Sequence, residues 1–343
     1  MNLAKARAAV QKAPLKKNAV NSGMDASIII PAYNSKGTIS ECIRALSSQD
    51  FTGKYEIIVV DDGSTDSTAK AAEQCGAIVL WQENCGPAKA RNAGARRASA
   101  NILLFTDADC ICQKDWLSQM LAPFKDPQVV GVQGAYRTLQ GSIVARFCQL
   151  EIEERYELME SNKGRLDWIG SYSAAYRRKD FFDANGFDES FPKASGEDPE
   201  LSYRLEETGK KLVFSPRAIV YHTHPDKLGR YFWTKFYRAF YRIRLYKKHP
   251  AKMSQDSYTP LVLKVQIALA YGAIACALLV PILGFLPLAV LCTAFIASTL
   301  RLTFITVGKD FAAGLCTPFF VLVRTIAFSL GLVAGAIKEA AEK

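Results

Sequence analysis

Between Ser27 and Asp109, apolar runs of strand length alternate with stretches whose apolar residues recur at helical spacing. SIIIPAY, YEIIVVDD, AIVLW and NILLFTDAD read as strands, and ISECIRALSSQ, TDSTAKAAEQC and GPAKARNAGARRAS between them read as helices. Strands with no polar face, joined through helices, predict a parallel sheet covered on both sides. The strands end in polar residues: Tyr33 and Asn34 after the first, Asp61 and Asp62 after the second, Asp107 and Asp109 after NILLF. Ligands of open α/β sheets bind beyond the carboxyl ends of strands, so these three clusters are expected to converge on one crevice. Farther along, residues 143–163 have helical periodicity. Residues 168–221 read as short strands around one more helix, EDPELSYRLEET, and this half is expected to form the acceptor side.

The pattern then changes. Residues 261–281 and 285–305 are apolar throughout most of their length, separated by the Pro281 to Pro287 turn, and each is long enough to span roughly 30 Å of hydrocarbon. They predict a membrane hairpin. A third segment, 315–337, is apolar except for Arg324 near its centre, where a charge is costly unless paired, so it either spans or lies in the interface. Basic residues before the hairpin, with Arg301 and Lys309 after it, place both ends and the preceding domain on the cytoplasmic side of an inner membrane.

Charge sharpens this division. The chain's 343 residues carry a net charge of +10, but residues 1–22 hold five basic and no acidic side chains, and residues 227–252 hold nine and none. The rest of the chain is therefore slightly acidic. The first stretch lacks the uninterrupted apolar core of a signal peptide and reads as a basic tail or an interfacial helix over 1–25. The second, within an amphipathic juxtamembrane segment over 226–258, interleaves aromatics with cations (FWTKFYRAFYRIRLYKK). Beside an apolar hairpin that pattern suits membrane lipids at headgroup level, and no nucleic-acid partner is expected. The remaining divisions are a catalytic domain over 26–225 and a membrane region over 259–343. Nine cysteines without a CxxC pair, and only three histidines, exclude a zinc cluster and suggest reduced structural thiols.

Two acidic constellations carry candidate chemistry. IIVVDDGSTDST sets two carboxylates at a strand end before a Gly-Ser-Thr turn, which suits a nucleobase edge or ribose hydroxyl, although acidic turns also cap helices. Asp107 and Asp109, one residue apart on a bent loop, can face a hard cation such as Mn2+ or Mg2+ or belong to a plain polar loop.

Taken together, PAYN, VVDDGSTDST, GPAKARNAG, TDAD, GSYSAAYRR, GFDESF and SGEDPELSYRL resemble, in order and spacing, the family 2 glycosyltransferases over residues 26–222. The resemblance implies the α/β GT-A fold, with C-terminal transmembrane helices added here, and inverting transfer of a sugar from a UDP- or GDP-linked donor. It places Pro31, Tyr33, Asn34, Asp61 and Asp62 at the nucleoside, Arg91 and Asn92 in a loop holding the nucleotide, and Asp107 and Asp109 at the ribose and the metal-bound diphosphate. Asp198 matches the general base, Glu197 a position beside the acceptor, and His222 a residue that completes the metal shell in some members. Tyr172 stands where related sequences often carry Asn, and no QxxRW motif of processive synthases follows His222, so single addition is favoured. A lipid-linked or glycan acceptor in envelope polysaccharide or glycolipid synthesis is implied. The rivals are a polyprenyl-phosphate glycosyltransferase and a non-catalytic membrane scaffold.

Overall fold

A computed structural model describes residues 23–161, 166–191, 196–253 and 259–341. The basic tail or interfacial helix expected at the amino terminus falls, through residue 22, outside the described residues. The chain divides into two compact units, Met1–Arg137 with Met159–His222, and Thr138–Leu158 with Thr223–Lys343.

The first unit is built on an eight-stranded sheet: β1 (Ala26–Ala32), β2 (Tyr55–Asp62), β3 (Ile78–Gln82), β4 (Ile102–Thr106), β5 (Ile111–Cys112), β6 (Val129–Arg137), β7 (Ser173–Arg177) and β8 (Lys211–Tyr221). Their order is β3-β2-β1-β4-β7-β6-β8-β5. The β3-β2-β1-β4 half is parallel, as the helix-separated apolar runs predict. Beyond it β7 runs antiparallel to both β4 and β6, β6 and β8 are parallel, and β5 is antiparallel to β8. Ile28, Ile29, Ile30 and Val59, Val60 are fully buried, since a central strand covered on both faces has no polar side. Pairing of Ala32 with Asp61 and of Asp62 with Gln82 brings the carboxyl ends of β1, β2 and β3 level. The expected convergence of strand-end residues begins there.

The second unit is helical. The catalytic domain expected as one continuous stretch over 26–225 is interrupted, because the helix Ile143–Ser161 lies through Leu158 in this unit. Its Phe147 and Cys148 are buried with Tyr231, Leu302, Phe320 and Val321, all from helices that follow residue 223. Those helices are Leu228–Lys248, Leu261–Leu278, Leu286–Lys309 and Thr317–Ala341, with short helices at Val280–Leu283 and Phe311–Leu315.

Three of them, Leu261–Leu278, Leu286–Lys309 and Thr317–Ala341, are long and apolar enough to cross a membrane, and the chain is membrane-associated. On an insertion scale a Lys or Arg at the bilayer centre costs about 2.5–3.5 kcal/mol. No charged residue occurs from Val265 to Leu300, which leaves the hairpin free of that cost. The third helix differs: half of its apolar window is buried within the protein, against 11% for each hairpin helix. Its Arg324 donates to Glu151 at 2.9 Å and to Gln266 at 2.9 Å. Glu151 also pairs with Lys235 at 2.8 Å and accepts from the Tyr231 hydroxyl at 3.1 Å. Burial opposes the Glu151 charge, but Lys235, Arg324 and Arg155 outweigh it and hold the carboxyl down to about 2.

Candidate active site

The loops after β1 and β2 are joined by Asn34. Its backbone is left-handed (φ 48°), its N–H donates to Ser64 Oγ at 2.9 Å, and its Oδ1 accepts from the Thr65 N–H at 2.9 Å. Asn and Asp tolerate this conformation because a short polar side chain bonds locally. Asp61, nearly fully buried, accepts from the Ser64 N–H at 3.1 Å. Asp62 accepts from Gln82 Nε2 at 2.6 Å and from the N–H groups of Cys85 and Gly86, each at 2.9 Å. Asn34 and Asp62 therefore shape the loops at the strand ends from within. Tyr33 is exposed beside them, with Pro31 paired to Val60 inside the sheet.

The loop that Asp62 pins leads into the helix Pro87–Arg97, whose inner face carries Arg91 and Asn92. Asn92 donates to the Phe187 carbonyl at 2.8 Å and to Glu189 Oε1 at 3.0 Å, and accepts from the Phe187 N–H at 3.0 Å. Arg91 is 2% exposed; one terminal nitrogen donates to Asp107 Oδ1 and the other to Glu197 Oε1, both at 3.0 Å. Burial disfavours its charge, yet Asp107, Asp198 and Glu197 more than compensate and raise its pKa above the ordinary arginine value. The resemblance implied that Arg91 and Asn92 hold the nucleotide. The structure uses both to position other residues, because a guanidinium and an amide this deeply buried must be satisfied by the protein around them.

Glu197 and Asp198 open the helix Glu197–Glu206, where carboxylates complement the helix dipole. Gly196 precedes them at φ 123°, and a Cβ there would also approach the Phe191 ring to 2.6 Å, so only glycine admits this turn. The two acids then part company. Glu197, 1% exposed, is taken by Arg91. Asp198 Oδ2 accepts from the Ser171 N–H at 3.1 Å and Oγ at 3.2 Å, while its Oδ1 is shielded and has no hydrogen-bond partner among the described residues. Burial raises the Asp198 pKa, with Arg91 and then Ser171 opposing that rise. Ser171 is a site residue that the sequence did not disclose. Its neighbours GSYS mark a strand start, but only the fold brings it to a residue 27 positions away.

After β4, Asp107, Cys110 and His222 each offer a ligand atom within 4.8 Å of the others, and Asp109 Oδ1 lies 3.4 Å from His222 Nε2. Burial, reinforced by Asp107 and Asp109, pushes the Cys110 thiol far above its usual range, which disfavours its thiolate form. Beside it, two carboxylates and an imidazole make a donor set that fits a hard divalent cation. Burial also raises the Asp109 pKa, which His222 partly offsets. The Tyr172 ring stacks on Tyr136 at 3.3 Å between centroids, and Tyr136 lies 4.9 Å from the His222 ring. Tyr172, in place of the Asn common in related sequences, thus makes one aromatic wall with His222. Tyr136 was another residue that sequence patterning left without a role.

A half-parallel sheet with aspartates at its strand ends, faced by a second acidic pair on a helix, is the GT-A fold. Residues 27–184 match the family described as Glycosyl transferase family 2. A pre-mycofactocin glycosyltransferase of Mycobacterium tuberculosis is 29% identical over 252 residues, covering 71% of this chain and 51% of that protein. Glycosyltransferase AglE of Haloferax volcanii is 39% identical over 212 residues, covering 57% and 66%. An N-acetylglucosaminyltransferase of Rhizobium sp. is 28% identical over 64% of this chain and 53% of its own. The chain spans about half the length of the first and last of these relatives. Among solved structures, a mannosyltransferase of Pyrobaculum calidifontis, in complex with GDP-Man and Mn2+, superposes with a TM-score of 0.58 over 99% of this chain and 94% of its own. At 20% sequence identity this is a likeness of fold.

Arg91→Met is expected to destabilise the protein by about 3–5 kcal/mol, because it strands the Glu197 charge in the interior. Pairing it with Glu197→Gln should recover part of that loss. Denaturant unfolding of the two single variants and the double variant measures the coupling; additive losses would remove Arg91 from this role.

Proposed function

We propose that this chain moves one sugar from a UDP- or GDP-linked donor to a hydroxyl of a membrane-associated, lipid-linked or glycan acceptor, with inversion at C1. The observation that carries this reading is the Asp198 carboxylate: one oxygen is fixed by Ser171, the other is shielded and unpartnered, and burial raises its pKa toward that of a useful base. In the displacement, the acceptor oxygen attacks C1 as Asp198 removes its proton, and the nucleoside diphosphate departs from the opposite face. Asp107, Asp109 and His222 would hold a divalent cation. Mn2+ or Mg2+ there supplies positive charge to the departing diphosphate. Tyr33 is exposed for stacking on the nucleobase, with Asp61 at the adjoining strand end. Arg91 acts through Asp107 and Glu197 by fixing their separation, and Glu197, already paired, is set aside as a base.

The relatives named as glycosyltransferases support the reaction class, and the absence of a QxxRW motif after His222 supports single addition. Basic residues flanking the hairpin support a catalytic unit on the cytoplasmic face of the inner membrane.

Asp198→Asn should lower turnover by at least about a thousandfold, in line with loss of a base and its charge, while donor affinity measured by calorimetry stays within about twofold. Retained turnover would instead favour an ionised phosphate acceptor, which needs no base. Loss of donor binding in the unmodified protein would point to a scaffold.

The pH dependence has a definite sign. The base works when deprotonated, so kcat/KM should fall below an apparent pKa lying above the ordinary aspartate value of about 3.9. The Ser171 hydroxyl stabilises the charged form; Ser171→Ala should therefore move this acid limb upward by about one pH unit. An unmoved limb would assign it to another group.

Asp109→Asn and His222→Ala should each weaken Mn2+ binding at least about tenfold, read by titration of the metal alone, with melting temperature held within a few degrees. Unchanged affinity in both variants would exclude this pair as ligands.

A further inference from the structure

The helix Thr317–Ala341 has two unlike faces. One is buried and carries Arg324, Gly331 and Gly335. The other exposes Phe319, Leu322, Ile326, Leu330, Val333 and Ile337, spaced by three or four residues into a single apolar stripe.

The buried face lies along Leu228–Lys248. The Phe320 ring is 5.8 Å from Tyr231, and Arg324 and Lys235 meet on Glu151. A Cβ at Gly331 would collide with the Phe236 carbonyl and one at Gly335 with that of Phe240, so the two backbones touch where only glycine allows it. At the far end Glu339 accepts from Arg244 at 2.8 Å and Lys247 at 3.0 Å. Residue numbers climb together from Phe320 and Tyr231 to Glu339 and Arg244, so the helices run side by side in the same direction for at least about 20 Å.

Wherever Leu228–Lys248 lies, Thr317–Ala341 lies with it. The first of these holds seven lysines and arginines, with Trp233 and Tyr237 exposed among them. That composition belongs at the headgroup level and not in hydrocarbon. Arg324 is held at the same level by Glu151, whose helix, Ile143–Ser161, also carries Glu153, Glu154 and Glu157.

We propose that Thr317–Ala341 does not cross the bilayer but lies beside Leu228–Lys248 in the membrane interface, its apolar stripe against acyl chains, so that the chain crosses the membrane twice. The cations of Leu228–Lys248 meet anionic headgroups, and the Phe319 to Ile337 stripe supplies the apolar contact that a charged helix lacks. The hairpin Leu261–Lys309 provides both crossings. Two crossings leave the end of Thr317–Ala341 on the side where Leu228–Lys248 lies, whereas three would place it opposite.

The test is a sidedness map of the full chain with a reporter fused before Met1, inserted at Gly284, or fused after Lys343. Alkaline phosphatase reports the outside and a fluorescent protein the inside. The expected result is both ends on one side and Gly284 on the other. A carboxyl-terminal reporter opposite the amino-terminal one overturns the proposal, as does a Gly284 reporter on the same side as both ends. A second measurement addresses what covers the stripe. Ile326→Glu with Leu330→Glu should raise protease cleavage after residue 317 in vesicles several-fold without changing oligomeric state. If instead the unmodified chain is a dimer that these substitutions dissociate, a second copy covers the stripe and the proposal fails.

Discussion

In the first unit the acidic centre is organised around a buried cation. Arg91 cannot discard its charge in the interior, so two carboxylates must come to it, and they arrive from different elements: Asp107 from the end of β4, and Glu197 from the start of a helix, 106 residues after Arg91 in the chain. The guanidinium is planar and its donors are fixed, so both partners are set in angle as well as distance. Asn92, the next residue, does the same for the Phe187–Glu189 turn. The helix that carries both begins in the loop held by Asp62. A strand-end aspartate thus fixes a loop, the loop a helix, and the helix the spacing between the Asp107 and Glu197 carboxylates.

This explains why adjacent acids with similar chemistry part in role. Glu197 and Asp198 share a helix start and differ by one peptide unit, yet one completes an ion pair and the other keeps an oxygen without a partner. Environment, more than residue type, divides carboxylates into structural and chemical ones. Glu197 is the reason Arg91 can be buried. With that charge answered, Asp198 is left with burial as the largest influence on its proton affinity.

Much of this was legible in the sequence. Apolar runs with no polar face located β1 to β4, because that signal is local. Sheet order was not local: nothing in SAAYR says that β7 runs antiparallel between β4 and β6. The candidate site residues were singled out by type and position, but their contacts were not. Arg91 and Asn92 read as a nucleotide-holding loop, and whether a side chain faces ligand or protein depends on packing that spacing alone does not encode. Ser171 and Tyr136 were missed for the same reason, since their partners are distant in sequence. The helix Ile143–Ser161 had the right period, but a period does not say which elements a helix packs against, and its Phe147 and Cys148 are buried with helices that follow residue 223.

The second unit repeats the logic with the signs reversed: one buried anion, Glu151, gathers Lys235 and Arg324 from two helices and the Tyr231 hydroxyl. Such a cluster is a weak source of net stability, because desolvation offsets most of the attraction. Its effect is on register. Apolar helix faces slide past one another at little cost, and GxxxG contacts recur at every turn that offers a small residue. Moving Thr317–Ala341 by one turn would carry Arg324 about 5.4 Å along the helix axis and separate it from the only buried carboxylate among the described residues to which it is paired. The same arginine that makes this segment a poor membrane span is therefore what aligns Gly331 and Gly335 with the backbone of the neighbouring helix.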